Sequence, residues 1–250
     1  LIATYANPMI VCDSADFDGT NDLMKRGADL TGNADSKKGI VSAWVRLDGS
    51  DGVTQRVVCG LNNLVNDDTN CLLERNTSNK FEITMRNVSG SDILRISSGT
   101  YIAGVQWRHI LSSWDLATPG SRSLYMNDVS DITVTTFLDD TIDYTEANYS
   151  AGGGRGTTQF LLNGCMSDLY LAPGQYLDFS IVSNRRKFIS ASGKPVHLGT
   201  TGSLPTGVSP LIYFHLDDGE TVSNFSTNRG TGGDFSITGT LTAGSTSPSD

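Results

Sequence analysis

Short stretches in which apolar and polar residues alternate, separated by turn-forming residues, constrain the fold of this chain more than any other feature. In residues 80–88, the apolar Phe81, Ile83 and Met85 alternate with charged or polar side chains. This period of two is typical of a β-strand that buries one face. Residues 40–47 form a second strand pattern between turn clusters rich in Gly, Lys and Asp. The repeated pattern predicts an all-β chain.

The remaining strands and a lone helix indicate two stacked sheets. A helix is predicted over 178–190, with Arg185, Arg186 and Lys187 near its C-terminal end, where the helix dipole favours cations. Strands do not alternate with helices, so we predict an antiparallel two-sheet jelly-roll sandwich with this one short helix. Further strands are predicted at 56–61, 70–75, 92–97, 107–115, 123–127, 131–137, 159–162, 165–171, 211–216 and 235–241.

A single domain accounts for nearly the whole chain. We expect it to span 1–241, with a flexible tail over 242–250 that is rich in Ser, Gly and Thr. Trp44, Trp107 and Trp114 all fall on predicted strands. We therefore expect these three indoles in the core between the sheets and not on a binding surface.

The acidic composition excludes several classes of partner. The formal net charge is -9, with 27 Asp and Glu against 18 Lys and Arg. Such a surface repels nucleic-acid phosphates and anionic lipids, so we expect neither as a partner. No apolar run is long enough to insert into a membrane. The first residues lack the basic segment of a signal peptide, so none is expected.

The four cysteines do not indicate a metal or redox centre. Cys12, Cys59, Cys71 and Cys165 contain no CxxC pair. Their wide spacing is unlike that of a disulfide-rich scaffold, so we expect buried free thiols. A Cys59–Cys71 bridge is the alternative.

Three segments in order carry a family resemblance. They are the acidic turn at 15–22 (ADFDGTND), the strand at 41–45 (VSAWV), and 107–110 (WRHI) followed by 113–115 (SWD) and 124–128 (LYMND). Together they resemble the laminin-G-like branch of the concanavalin A-like lectin/glucanase superfamily over about residues 15–171. The resemblance implies a lectin-like sandwich.

The C-terminal third carries a different resemblance. Residues 184–188, 193–196, 202–207 and 230–235 resemble lectin-like modules of tailed-bacteriophage virion proteins. This implies a non-enzymatic structural module of the tail-fibre, spike or capsid-decoration type, assembled in the host cytoplasm and exposed on the particle surface. Its implied partners are other virion proteins, further copies of itself and a host-surface glycan. Two alternatives stay open: a polysaccharide-active glycoside hydrolase or lyase on the same fold, and a structural assembly protein without a ligand.

The carboxylates and histidines do not form a catalytic pattern. Retaining glycosidases hold two carboxyl groups ~5–5.5 Å apart, and those of this superfamily typically carry a Glu-x-Asp-x-x-Glu run, which this sequence lacks. We expect Glu74 and Glu82 to be separate, solvated strand residues that pair with nearby cations. His109, His197 and His215 stand apart and are expected to be structural. The sequence therefore predicts no enzyme.

One turn offers candidate calcium ligands, and no cofactor is otherwise required. Asp16, Asp18 and Asp22, together with Asn21, supply the hard oxygen atoms that calcium prefers. The family resemblance implies calcium at the rim of the sandwich. As the alternative, the same side chains cap backbone N–H groups of the turn.

A loop rich in aromatic, amide and glycine residues offers candidate glycan contacts. Tyr144, Asn148, Tyr149 and Arg155 lie close together in sequence, and loops at the ends of rigid sandwiches commonly carry binding residues. We therefore predict that these four side chains touch a glycan. Further candidates are Tyr101, Gln175 and Tyr176.

Overall fold

Two antiparallel sheets are stacked face to face in the computed structural model, which describes residues 14–62, 71–154, 160–217 and 219–250. The predicted two-sheet sandwich is confirmed. The described strands are β1 (Ala15–Asp18), β2 (Leu23–Arg26), β3 (Lys38–Leu47), β4 (Arg56–Asn62), β5 (Cys71–Arg75), β6 (Lys80–Arg86), β7 (Asp92–Thr100), β8 (Arg108–Asp115), β9 (Arg122–Met126), β10 (Val129–Ser130), β11 (Thr133–Phe137), β12 (Asn148–Ala151), β13 (Asn163–Pro173), β14 (Ile212–His215), β15 (Ser236–Thr238) and β16 (Thr242–Ala243).

Each sheet contains eight of the described strands. Sheet A has the order β10-β9-β8-β3-β13-β1-β16, and β14 also pairs with β13. Sheet B has the order β11-β7-β6-β5-β4-β12-β2-β15. Among the residues that the structure describes, no helix has the length and apolarity needed to cross a bilayer.

Alternating side chains seal the space between the sheets. Phe81, Ile83 and Met85 of β6 are buried in the central cluster, as their spacing predicts. On sheet A, the fully buried Trp114 donates from Nε1 to the Tyr144 hydroxyl at 3.2 Å. Gly39 allows this close packing, because a Cβ there would lie 2.4 Å from the Trp114 ring.

The three tryptophans occupy three different environments. Trp114 lies in the core between the sheets, as predicted. Trp44 is also buried, but its neighbours Ala43 and Val45 point into the core, so its own ring lies on the outer face of sheet A. The expectation for Trp107 is wrong: it is only half-buried because it precedes β8, and its Nε1 donates to Thr246 at 3.2 Å.

The outer face of sheet A is covered by a second apolar layer. Residues 174–210, which we call the cap segment, contribute Phe179, Phe188 and Leu198 to this layer, and its other members lie on strands of sheet A. The T-shaped pairs Tyr170–Phe188 and Phe179–Phe188, with ring centroids 5.3 and 5.6 Å apart, fix the cap segment to β13. The residues of this layer are Ile40, Leu111, Tyr170, Ala172, Phe179, Phe188, Leu198 and Tyr213.

The predicted helix over 178–190 is much shorter in the structure. Only Val182–Arg185 form α1, and none of its four residues is buried. The apolar anchors Phe179 and Phe188 lie on either side of α1 and hold an irregular segment against the sheet. The apolar spacing therefore reflects two separate anchor points and not one helical face.

The C-terminal residues are part of the sandwich. Strand β16 pairs with β1, and Thr246 accepts a hydrogen bond from Ser14 at 2.7 Å through its carbonyl oxygen. Arg46 also donates to the Thr246 hydroxyl at 2.7 Å. The expectation of a flexible tail over 242–250 is corrected, because edge pairing and these contacts hold it.

The described thiols are free and buried. Cys59 and Cys165 form no disulfide, which confirms the prediction of free thiols for these two residues and excludes the Cys59–Cys71 bridge. Burial raises the pKa of both thiols to about 12, so they stay protonated. Cys12 and the side chain of Cys71 lie outside the described residues.

His109 is structural, as predicted. It is fully buried and stacks on Trp44 with ring centroids 4.6 Å apart. Its Nε2 lies 2.9 Å from the Ser42 hydroxyl. Burial lowers the pKa of His109 to about 3, so the ring is neutral in this layer.

His215 ties β14 to β13 through an ionic network. Its Nδ1 lies 2.6 Å from Asp168 and its Nε2 3.2 Å from Asp217, which also pairs with Arg229 at 2.7 Å. Burial alone would lower the pKa of His215. The Asp168 carboxylate and, to a lesser extent, that of Asp217 outweigh burial, so the pKa is raised above its usual value.

Replacing Trp114 by alanine should lower the free energy of unfolding by ~3–5 kcal/mol, because a large ring leaves a packed core. Urea denaturation followed by circular dichroism measures the change. Val53→Ala, at an exposed loop position, is the control and should change stability by less than about 0.5 kcal/mol. If Trp114→Ala lowers the free energy of unfolding as little as the control does, the packing described is contradicted.

The stability difference between the wild type and His215→Asn should shrink as the pH rises. Because the pKa is raised on folding, the protonated ring stabilises fully below the unfolded value of about 6.5. That contribution is lost as the pH rises through the folded pKa. Urea midpoints across this window measure it, and a difference that does not change with pH contradicts the network.

Candidate functional site

The predicted aromatic glycan contacts are buried in the core. Tyr144 and Tyr149 are both 0% exposed, and the Tyr149 hydroxyl donates to the Tyr144 carbonyl oxygen. Strand β12 passes through the predicted loop, and its alternation turns Tyr149 inward beside Ala151. The expectation that these two rings touch a glycan is wrong, because neither presents a face to solvent.

The structure separates the other two predicted glycan residues from those rings. Asn148 is half-buried on the outer face of sheet B, and its Nδ2 is buried without a hydrogen-bond partner. Arg155 lies outside the described residues. The four side chains therefore do not form one exposed cluster in the described structure.

The outer face of sheet B is polar and brings two glutamates together. Glu74 and Glu82 are directly opposite each other in the β5–β6 register, which corrects the expectation that they are separate. Arg95 donates to Glu82 from Nε at 3.1 Å and from NH2 at 2.8 Å, so Glu82 pairs with a cation from the next strand and not with those beside it in sequence. Both glutamates are buried, which corrects the expectation that they are solvated. Gln55 donates to Glu74. Both carboxylates are thus already engaged by neighbouring side chains.

A cavity of about 340 Å³ opens where the edge of sheet A meets the cap segment. Small-molecule sites commonly measure roughly 300–1,000 Å³, so the cavity, which we call the edge pocket, has the size of a small site. It is lined by Gly120, Ser121, Arg122, Ser123, Tyr125, Ser130, Ile132, Tyr176, Asp178 and Ser180.

The alternation of side chains along β9 determines which of its residues face the pocket. Leu124 and Met126 are buried between the sheets, so Ser123 and Tyr125 point to the opposite face, where the cap segment lies. The cap side begins where β13 ends. Gly174 takes a left-handed φ of 77° there and turns the chain back over the sheet.

The edge pocket offers polar groups that the fold does not use. Within the described part of the chain, the hydroxyls of Tyr125, Tyr176, Ser130 and Ser180 make no hydrogen bond. Asp178 accepts the backbone N–H of Ser180 at 2.8 Å through Oδ1. Hydroxyl and phenol groups both donate and accept, and a carboxylate accepts. The pocket is therefore suited to a small ligand that carries several hydroxyl groups.

Only Tyr176 of this pocket stood out in the sequence. Gln175 beside it is engaged within the cap segment, where it donates to the Ser209 carbonyl at 3.2 Å and accepts from Thr206 at 2.6 Å. Tyr101 donates to Asp131 at 2.7 Å in another loop. Tyr125 gave no separate signal, because it lies in a core hairpin and its outward direction depends on the register.

The acidic turn uses its carboxylates to hold its own backbone. Asp18 accepts from the backbone of Thr20 at 2.7 Å and of Asn21 at 3.1 Å, and these bonds lower its pKa. The buried Asp22 accepts from the backbone of Asp18 at 3.1 Å and of Thr240 at 2.7 Å. This geometry favours the capping alternative for Asp18 and Asp22.

Asp16 lies in a different grouping. Among the described residues, Asp16, Asp48 and Cys165 are the group of three or more potential metal ligands whose ligand atoms all lie within 4.8 Å of one another. Arg46 already holds both Asp48 oxygens at 2.9 Å, and Cys165 is protonated. Neither this grouping nor the turn fits a calcium ion well, and the calcium site stays a prediction from the sequence.

Millimolar calcium should leave the melting temperature unchanged, because backbone N–H groups already occupy the turn carboxylates. Asp18→Asn keeps an acceptor oxygen and should melt near the wild type, whereas Asp18→Ala should melt lower. Thermal melts with calcium and with a chelator measure this. A rise with calcium in the wild type that is lost in Asp18→Asn would establish the calcium site.

Comparisons with known proteins agree with this architecture. A protein from Bacteroides ovatus ATCC 8483, solved as a candidate carbohydrate-binding protein, superposes with a TM-score of 0.65 at 13% identity. The match covers 96% of this chain, which spans only 61% of that protein. A heptameric SAP-like pentraxin from Limulus polyphemus superposes with a TM-score of 0.52 at 14% identity, over 86% of this chain and 95% of the pentraxin. At such identities the likeness shows the fold alone.

Sequence comparison identifies the family. No curated protein matches this sequence significantly. The family profile described as the concanavalin A-like lectin/glucanases superfamily matches residues 19–173, more than half of the 250 residues. The chain belongs to the concanavalin A-like lectin/glucanase superfamily.

Proposed function

We propose that this chain is a non-enzymatic carbohydrate-binding module and that the edge pocket holds one sugar residue of a glycan. The observation that carries the proposal is the set of hydroxyl and phenol groups in the pocket that the fold leaves unused. A sugar ring presents hydroxyls around its rim and C–H groups on its faces. Tyr176 offers an apolar ring and a phenol hydroxyl to such a ligand, Tyr125 offers its phenol hydroxyl, and Asp178 accepts from sugar hydroxyls.

The outer faces of the two sheets are less suited to binding a ligand than the edge pocket is. The outer face of sheet A is buried under the cap segment. On the outer face of sheet B, Glu82 is held by Arg95, and Glu74 and Ser150 are almost fully buried. The residues that line the edge pocket are half-buried or exposed, so a ligand can reach the unused hydroxyls from solvent.

Tyr176→Ala should weaken glycan binding by at least about tenfold, or ~1.4 kcal/mol, because it removes an aromatic contact from the pocket. A glycan array would identify a ligand and isothermal titration calorimetry would measure its affinity. Ile102→Ala, an exposed position in another loop, is the control and should bind as the wild type does. Equal binding by the wild type and Tyr176→Ala contradicts the assignment of the pocket.

The rival function is polysaccharide cleavage, and the opposed Glu74 and Glu82 are the observation that favours it. Burial and contacts with Gln55 and Arg95 argue against a catalytic role, because both carboxylates are already held by protein side chains. Incubation with β-glucans and alginates, followed by a reducing-sugar assay, separates the two functions. Product release that is lost in Glu82→Gln would replace the binding proposal.

We further propose a virion setting for this module, supported by the resemblance of the C-terminal third to tailed-phage lectin-like modules. In that setting the chain is assembled in the host cytoplasm and exposed on the particle, with other virion proteins and further copies of itself as partners. Antibody labelling of particles in the electron microscope tests this placement. A stable oligomer in light scattering together with a blank glycan array would instead favour a purely structural protein.

A further inference from the structure

One carboxylate connects the two sides of the edge pocket. Asp128 lies in the turn between β9 and β10 and contacts two arginines of the cap segment. Its Oδ1 lies 2.6 Å from Arg185 Nε, and its Oδ2 lies 2.6 Å from Arg186 NH2. Charge-assisted bonds of this length are the strong ones among protein hydrogen bonds. The side chains of Asp128 and Arg185 are also mostly buried.

The backbone at this turn would favour a glycine in place of Asp128. Asn127 and Asp128 have φ values of 49° and 68°, both in the left-handed region. Two-residue hairpin turns with this geometry favour glycine at the second position, because any side chain there costs free energy. Asparagine suits the first position. The carboxylate of Asp128 therefore supplies contacts that the turn itself does not need.

Arg185 reaches both walls of the edge pocket. Its guanidinium lies over the Tyr125 ring, 4.5 Å from the centroid. Its NH1 donates to the carbonyl oxygens of Phe179 at 2.6 Å and Ser180 at 3.3 Å. Tyr125 and Ser180 both line the pocket. One side chain thus holds the sheet wall and the cap wall at a fixed separation.

We propose that Asp128 and Arg185 are positioning residues of the edge pocket. Asp128 fixes the guanidinium, and the guanidinium fixes Tyr125 relative to residues 179–180. Neither Asp128 nor Arg185 lines the pocket, so both act through Tyr125 and the cap wall. Because Arg185 covers one face of the Tyr125 ring, Tyr176 is left as the aromatic side chain that stacks on a sugar face. The inference rests on the proposed function of the pocket and adds a ligand class, pyranose sugars that have an apolar C–H face.

The test compares ligand affinity with stability in Asp128→Gly and Arg185→Gln. The probes are the methyl glycosides of glucose, galactose, mannose and N-acetylglucosamine, followed by saturation-transfer NMR and titration. Asp128→Gly should melt close to the wild type, since glycine relieves the left-handed backbone, yet it should bind about tenfold more weakly. Arg185→Gln, which leaves the turn unchanged, should show a similar loss of affinity.

Two further variants separate positioning from a general loss of charge or stability. The double variant should bind about as weakly as the weaker of the two single variants, because both substitutions remove the Asp128–Arg185 contact. Asp48→Asn is the matched control. It breaks another arginine–carboxylate pair, with Arg46 at 2.9 Å, away from the pocket, and should bind as the wild type does.

The outcomes distinguish the two proposals. A wild type that binds none of the four glycosides overturns the ligand class, and a blank glycan array in addition overturns the proposed function. A wild type that binds, with Asp128→Gly and Arg185→Gln binding equally well, overturns the positioning role alone. An equal loss of affinity in Asp48→Asn would also overturn the positioning role, because the loss would then not be specific to the pocket.

Discussion

Burial of both faces of sheet A is the constraint on which the rest of the structure depends. Val41, Ala43 and Val45 of β3 face the core between the sheets, while Ile40 on the same strand faces the cap segment. A sheet with two apolar faces is unstable if one face is exposed to water, because burying apolar surface is a main source of folding free energy. The cap segment must therefore dock, and the edge pocket forms where its docked edge meets the outermost strands of the sheet.

The local alternation of the sequence predicts the strands but not the pocket. Residues 80–88 alternate clearly, and β6 (Lys80–Arg86) lies there with Phe81, Ile83 and Met85 inward. The walls of the pocket, by contrast, come from segments about fifty residues apart, and they are brought together where Phe188 packs on Tyr170 and Phe179 packs on Phe188. The spacing of residues along the chain therefore does not indicate that these two segments come together.

Three features of the fold differ from what the sequence predicts, and each difference has a physical cause. The residues around Tyr149 have the composition of a loop, so the sequence does not predict strand β12. Because β12 pairs with β2 and β4, the Tyr149 ring points into the core. The apolar residues over 178–190 have helical spacing, but Phe179 and Phe188 contact the sheet separately, on either side of α1. The sequence does not single out Tyr125, because a residue in a core hairpin can face either layer, and only the position of the cap segment decides which side becomes a pocket.

The abundance of aspartate also has a structural explanation. Asp18 and Asp22 accept backbone N–H groups in one turn, and Asp35 accepts those of Tyr144 and Thr145 at 2.9 and 3.0 Å. Asp131 accepts from the backbone of Gly99 at 2.9 Å. A sandwich with many turns needs such acceptors, so a cluster of acidic residues here indicates backbone capping more than metal binding.

Hydrogen exchange measured by mass spectrometry, with and without a bound glycan, tests the central claim most directly. If the ligand binds between the edge of sheet A and the cap segment, exchange should slow in residues 120–132 and 176–186 and stay unchanged across residues 74–97 of sheet B. Slower exchange confined to residues 74–97 would contradict this account, because the ligand would then lie on the opposite sheet.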